Sequence, residues 1–458
     1  MKFNYQSIVN KITDYDRFLS IDELKESSRK LADEYSHVSI EKIGKSRNGE
    51  PIDALTVGAG EKTAFLFAMP HPNEPIGSMT IEFLANELAK NEELREAFNF
   101  TFVLIKCIDP DGARLNEGWF DGPFTPLNYA RNFYRPPGFQ QVEWTFPIEY
   151  KELNFDAPIP ETQALMKIFD NKKPDFAYSL HNAGFGGAYY YISDPCEPLY
   201  EKYRRAATNA GIPLHLGEPE MPYAEALSDA VYKMPTTVES YDYIEEYTDR
   251  NPAEVLRSGT GSTDYGKRAN KDMFSLVCEV PYFYDSRIEN HEESDVNRRE
   301  AILDSVKLSK KMYGYLEDRY DEIEDLLKVD SKFKEAIQEN LRTASYLHQS
   351  KKSWAEQNNK LDRPATVSQK FDNYVITRFY RMLSFGMFIR MLEQELENTE
   401  DNKKIDKLTS IKSQVEEKLE EHNDKLTSSL NYEVIPIKKL VATQLVSGLA
   451  SIEYLENN

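Results

Sequence analysis

Cysteine is scarce in this sequence: only Cys107, Cys196 and Cys278 occur in 458 residues. They lie far apart, form no C-x-x-C pair and are odd in number, which excludes a disulfide framework. Cys107 and Cys278 sit in apolar runs and are expected to be buried free thiols. Positive charge is also in deficit, with 56 Lys and Arg against 77 Asp and Glu, a net charge of -21 and a pI near 5.0. A nucleic-acid binder presents a basic surface, so that class is set aside. Long apolar runs are missing too. The most apolar stretch, residues 374–392, is interrupted by Arg378, Arg381 and Arg390, and no membrane span is expected. The first 19 residues mix polar and apolar side chains without the apolar centre of a secretory signal, and a cytoplasmic location is expected. No internal repeat and no low-complexity tract occurs.

What is present is an ordinary globular balance, 40% hydrophobic and 29% charged, in a chain long enough for two domains. Up to about residue 290, short apolar runs alternate with helical patterns and turns. The spacing predicts a helix over 21–34, a hairpin from 38–44 and 52–57 around Arg47-Asn48-Gly49-Glu50, and strands at 63–69, 100–108, 176–180, 188–192 and 274–280. Helical spacing follows the third of these through Met79, Phe83, Leu84 and Leu88, and a further helix is expected over 161–170; residues 109–160 read as a long loop. Strands alternating with helices imply an α/β fold, a mixed sheet with helices on both faces. The remainder carries helical periodicity near 294–327, 331–358, 366–397, 403–428 and 437–456, the third too apolar all round for a surface helix. The expected organisation is a catalytic domain over 1–328 and an all-α bundle over 329–458, whose helices offer a surface for self-association.

The chemistry gathers at strand ends. His71-x-x-Glu74 closes one predicted strand, and His181 closes another 107 positions after Glu74. Zinc accepts imidazole nitrogen and carboxylate oxygen, and a catalytic site uses three protein ligands with one position open. In an open α/β sheet, sites form beyond the carboxyl ends of strands. Glu279 ends an otherwise apolar strand, where a buried carboxylate needs a partner or a task. The remaining histidines, His37, His215, His291, His348 and His422, have no comparable context and are expected in packing or surface roles. The Tyr189-Tyr190-Tyr191 run is expected to pack within a strand, one edge facing any substrate.

Five ordered segments carry a resemblance: Pro70-His71-Pro72-Asn73-Glu74, Asp109-Pro110-Asp111-Gly112, Ala130-Arg131-Asn132-Phe133, Ser179-Leu180-His181 and Phe274–Glu279. Together they resemble the zinc carboxypeptidases of the carboxypeptidase A type over roughly residues 38–285. The resemblance implies one zinc ion held by His71, Glu74 and His181, and Glu279 as the base that takes a proton from zinc-bound water. It implies a substrate-binding role for Arg131, gripping a terminal carboxylate, with Asn132 beside it. Arg114, 17 positions before Arg131, would stabilise the oxyanion, although Arg135 is also close. The Gly259-Thr260-Gly261-Ser262-Thr263-Asp264-Tyr265 stretch is similar to the family's pocket segment, with Thr263 at the base. Two places depart from the pattern: Ala130 replaces the family's Asn, and its mobile tyrosine falls near Leu256, with Tyr247 as a substitute. The implied substrate is a peptide or an amino-acid amide. Competing readings are a zinc deacylase of the aspartoacylase or succinylglutamate desuccinylase type, and a non-catalytic peptide-binding scaffold.

Overall fold

The computed structural model describes residues 5–457. Its first eleven strands are β1 (Val38–Lys45), β2 (Pro51–Val57), β3 (Lys62–Ala68), β4 (Phe100–Ile105), β5 (Ile148–Tyr150), β6 (Leu153–Phe155), β7 (Phe176–His181), β8 (Tyr189–Ile192), β9 (Ala226–Ser228), β10 (Val231–Lys233) and β11 (Phe274–Glu279). Nine of them form one mixed sheet in the order β1-β2-β4-β3-β7-β11-β8-β10-β9, while β5 and β6 make a separate hairpin. The central strands β4, β3, β7 and β11 run parallel, so their carboxyl ends share one edge. Register pairs Glu279 with His181 on neighbouring strands.

Strand alternation sends successive side chains to opposite faces. On β3, Leu66 and Ala68 join the larger apolar core, which includes Met79 and Leu84 of the Ile76–Lys90 helix. Phe65 and Phe67 turn the other way, onto Leu165 and Phe169 of the Pro160–Lys172 helix. Both faces are therefore covered, and the expected fold class holds. Residues 109–160, read as a loop, contain short helices and the β5–β6 hairpin. Strand β9 at the edge and its neighbour β10 left no sequence signal because three residues each are too few to show a period.

Helices Arg298–Asp321, Lys332–Gln357, Thr377–Glu397, Asn402–Thr427 and Ile437–Asn457 follow. Residues 294–297, placed at the start of a helix by pattern, instead belong to a short strand, Glu293–Asn297. Thr377–Glu397 is central as expected, and its Gly386 meets the short Pro126–Asn132 helix so closely that a Cβ there would stand 1.7 Å from the Ala130 carbonyl oxygen. The division expected at 328/329 is not a break in packing. Ile437–Asn457 lies against the Ile76–Lys90 and Glu197–Asn209 helices, and Leu440, Leu445 and Leu449 belong to the same core as the sheet. The physical reason is that this last helix is apolar on nearly every side and buries itself on the sheet's layer of helices, away from a separate bundle. Among the described residues, no helix is long and apolar enough to cross a membrane.

Gln444 of that helix is fully buried, and its Nε2 donates to the carbonyl oxygens of His181 at 2.6 Å and Cys278 at 3.3 Å. Its Oε1 accepts from Thr80 Oγ1 at 2.8 Å. One side chain thus ties together the ends of β7, β11 and the helix that follows His71 and Glu74. Gln444→Leu, which leaves those carbonyls unsatisfied, should lower stability by about 1–3 kcal/mol, seen as an earlier urea midpoint by circular dichroism; an unchanged midpoint would count against this tie.

Candidate metal centre

The chain leaves β3 through Met69, a non-glycine residue with φ of 55°, a left-handed conformation that bulky side chains rarely adopt. That bend turns His71 and Glu74 back toward the ends of β7 and β11. His71 Nδ1 stands 3.2 Å from Glu74 Oε1, and His181 Nδ1 stands 3.1 Å from His71 Nδ1 and 2.9 Å from Glu74 Oε2. All three residues are buried, and their ligand atoms lie within 4.8 Å of one another.

The far side of the His181 ring determines what its Nδ1 offers. His181 Nε2 is 2.8 Å from Ser179 Oγ, whose hydroxyl donates to Glu143 Oε1 at 2.5 Å. This relay puts the proton on Nε2 and leaves the Nδ1 lone pair facing inward. Glu143 also accepts from the Ser262 backbone N–H at 3.0 Å. The sequence reading passed over Glu143, which lies in an aromatic loop with no pattern to mark it. His71 Nε2 is buried with no hydrogen-bond partner, so its ring is oriented from the Nδ1 side alone.

Two imidazole nitrogens and a carboxylate therefore face one another with too few protons to satisfy them. Ligands of a tetrahedral zinc, each about 2.0–2.1 Å from the ion, lie roughly 3.3 Å apart; the observed separations fit a small divalent cation. Burial and the positive charge of Arg135 push His71 down to about 4. Burial presses His181 the same way, but hydrogen bonds with Glu143 and Glu74 outweigh it and raise the imidazole to about 10. Burial would raise Glu74, yet the charge of His71 and the hydrogen bond from His181 hold it below the ordinary carboxylate range. Glu279 is raised well above that range by burial, reinforced by the negative charge of Glu74.

The cluster opens into a cavity of about 450 Å³ that also receives Glu279, Glu143, Arg135 and Thr263. Glu279 Oε1 is 3.9 Å from His181 Nδ1, and Arg135 Nη1 is 3.5 Å from Glu74 Oε1. Three expected site residues lie outside this cavity. Arg131 pairs with Glu416 and Glu420 at 3.5 and 3.1 Å, because Ala130, on the same helix, is packed against Gly386 and turns its neighbour outward. Asn132 donates back to the Asn128 carbonyl within its own helix at 3.0 Å. Arg114 is taken up by Glu50 at 2.5 Å and Asp22 at 2.6 Å. Neither Tyr247 nor Leu256 lines the cavity; Tyr129, Tyr189, Tyr191, Tyr232 and Tyr380 do. His215, expected to have a packing or surface role, lies in the cavity wall paired with Asp372 at 3.2 Å.

A zinc carboxypeptidase family model matches residues 24–403. The chain belongs to the zinc carboxypeptidase family. Its members are zinc-dependent metallopeptidases, and this match spans the expected domain boundary. No curated protein matches the chain. Solved structures similar to it include carboxypeptidase A from Helicoverpa armigera, 13% identical, covering 77% of this chain and 79% of that one with a TM-score of 0.39. A metallo-carboxypeptidase from Pseudomonas aeruginosa in complex with (2-guanidinoethylmercapto)succinic acid is 14% identical, covering 57% and 60%, with a TM-score of 0.33. A metallo-carboxypeptidase from Burkholderia cenocepacia is 15% identical, covering 57% and 60%, with a TM-score of 0.32.

As a zinc carboxypeptidase family member with this geometry, the protein should retain one zinc per chain after dialysis, measured by inductively coupled plasma mass spectrometry. His71→Ala, Glu74→Ala and His181→Ala should each lose it. Glu143→Gln, which disturbs the relay behind His181, should weaken zinc about 10- to 100-fold in competition with a chelating dye.

Proposed function

We propose that this chain is a zinc-dependent hydrolase that removes a C-terminal residue from peptides, with Glu279 as general base and Arg135 as the cation beside the reacting carbonyl. The observation that carries this reading is a further buried carboxylate at the cluster: Glu279 shares the cavity with His71, Glu74 and His181 and stands 3.9 Å from the His181 Nδ1. His71, Glu74 and His181 would hold the ion. Zinc, when bound, polarises a carbonyl oxygen and brings the pKa of water down to about 7.

Glu279 accepts the proton of the attacking water and returns it to the leaving amine. Burial and the negative charge of Glu74 raise this carboxyl well above the ordinary range, and a divalent charge held at the neighbouring cluster would favour its ionised, proton-accepting form. Arg135 takes the part first given to Arg114. Its guanidinium sits at the cluster with no carboxylate bound bidentately, and a fixed cation there stabilises negative charge developing on the carbonyl oxygen. Thr263, in the cavity wall, meets the substrate side chain with a short hydroxyl that favours neither a basic nor an acidic group.

The test is to incubate zinc-loaded protein with a mixed peptide library and seek products one residue shorter by mass spectrometry. Chelation should abolish turnover and zinc should restore it. Glu279→Gln should keep its zinc and lose about 10²- to 10⁴-fold in rate; undiminished turnover in that variant would remove Glu279 from the mechanism. Arg135→Gln should cost about 10²- to 10³-fold in kcat, while Arg114→Gln, altering the ion pairs with Glu50 and Asp22 outside the cavity, should leave kcat nearly unchanged.

A further inference from the structure

The helical segment closes one side of the cavity and brings charge with it. Lys351 comes from Lys332–Gln357, Arg381 from Thr377–Glu397, and Asp372 from the turn preceding the latter. Most charged groups here are already matched. Asp372 pairs with His215 at 3.2 Å, and Glu218 is held by Arg298 through two bonds of 3.0 and 2.6 Å. Arg135 leans on Glu74. Two cations remain. The Lys351 ammonium makes no hydrogen bond or ion pair among the described residues, and Glu218 and Asp372 act on it only from longer range. Arg381 donates one Nη1 bond to Tyr313 Oη at 3.0 Å, its Nε is buried without a partner, and no carboxylate reaches it among the described residues.

We propose that Lys351 and Arg381 form a carboxylate-binding subsite, supplied by the helical segment, that selects substrates bearing an anion beyond the scissile bond. This rests on the hydrolase reading above and adds to it how substrate is chosen. Two half-buried cations lining one cavity repel each other, and an anion joining them offsets that cost. Their mutual strain is visible in Lys351, which burial pushes below its ordinary range; Glu218 and Asp372 oppose that shift and Arg381 adds to it. A planar guanidinium fork beside a point-charge ammonium matches a carboxylate. A dianionic phosphate suits the place less well, because the already paired Glu218 and Asp372 lie close by and would repel the second charge. With Arg131 engaged by Glu416 and Glu420, these two side chains are the unpaired cations that the cavity offers. The carboxylate has two sources in a peptide, the free C-terminus or an acidic side chain of the residue removed.

The experiment is calorimetric titration of the zinc-loaded full chain with benzylsuccinate, which has one carboxylate for the metal and a second to spare, and with 3-phenylpropionate, which has only one. Wild type should bind benzylsuccinate about 10- to 100-fold more tightly. Lys351→Met and Arg381→Gln, checked for retained zinc, should erase most of that preference while leaving 3-phenylpropionate unaffected, and Lys351→Arg should restore it. A preference unchanged in both variants, and in a chain carrying the two substitutions together, would overturn the subsite while leaving library turnover intact. Binding of neither probe by zinc-loaded wild type would overturn it as well, and turnover of the library then decides the hydrolase reading separately. Loss of turnover in Lys351→Met across all library peptides identifies the free C-terminus as the bound group; loss confined to peptides ending in Asp or Glu identifies the side chain.

Discussion

Two imidazole nitrogens and a carboxylate converge where strands end, each stripped of water, and the protein around them is arranged to keep them there. Three lone-pair donors at 2.9–3.2 Å repel one another unless something positive lies between. The fold holds them by parallel register, which sets His181 and Glu279 side by side, by the left-handed Met69, which turns His71 and Glu74 toward them, and by the Ser179–Glu143 relay, which fixes the His181 tautomer. Loosening any of these would move one ligand and undo the other two.

The helical C-terminal part is bound into that arrangement. Gln444 caps two strand-end carbonyls from beneath the site, while Lys351, Tyr380 and Arg381 form wall from the side. The same packing that places Thr377–Glu397 against Pro126–Asn132 removes Arg131 from the cavity and puts other cations into it.

Much was legible in the sequence. The helix at 21–34, the hairpin of β1 and β2 and the central strands follow from apolar periodicity, because a strand buried on both faces cannot be anything but continuously apolar. The convergence of His71, Glu74 and His181 was legible too, since zinc chemistry restricts residue type and strand ends restrict position. Arg114, Arg131 and Asn132 illustrate the opposite case. A flexible polar side chain in a loop carries no periodicity, and motif spacing says which backbone segment comes near a site but not which way a residue on a one-turn helix points.

The sequence by itself determined the α/β class, the strand ends that bear His71, Glu74, His181 and Glu279, and the helical character of the last third, because these depend on local patterns of burial and on residue chemistry. Only the tertiary structure decided which arginine enters the cavity, that Glu143 stands behind His181, and that residues beyond 328 share the core and the wall of the site. Those outcomes arise from contacts between segments hundreds of positions apart, such as Gly386 on Ala130 and Gln444 on His181, where close packing selects one orientation among several that local preference leaves equal.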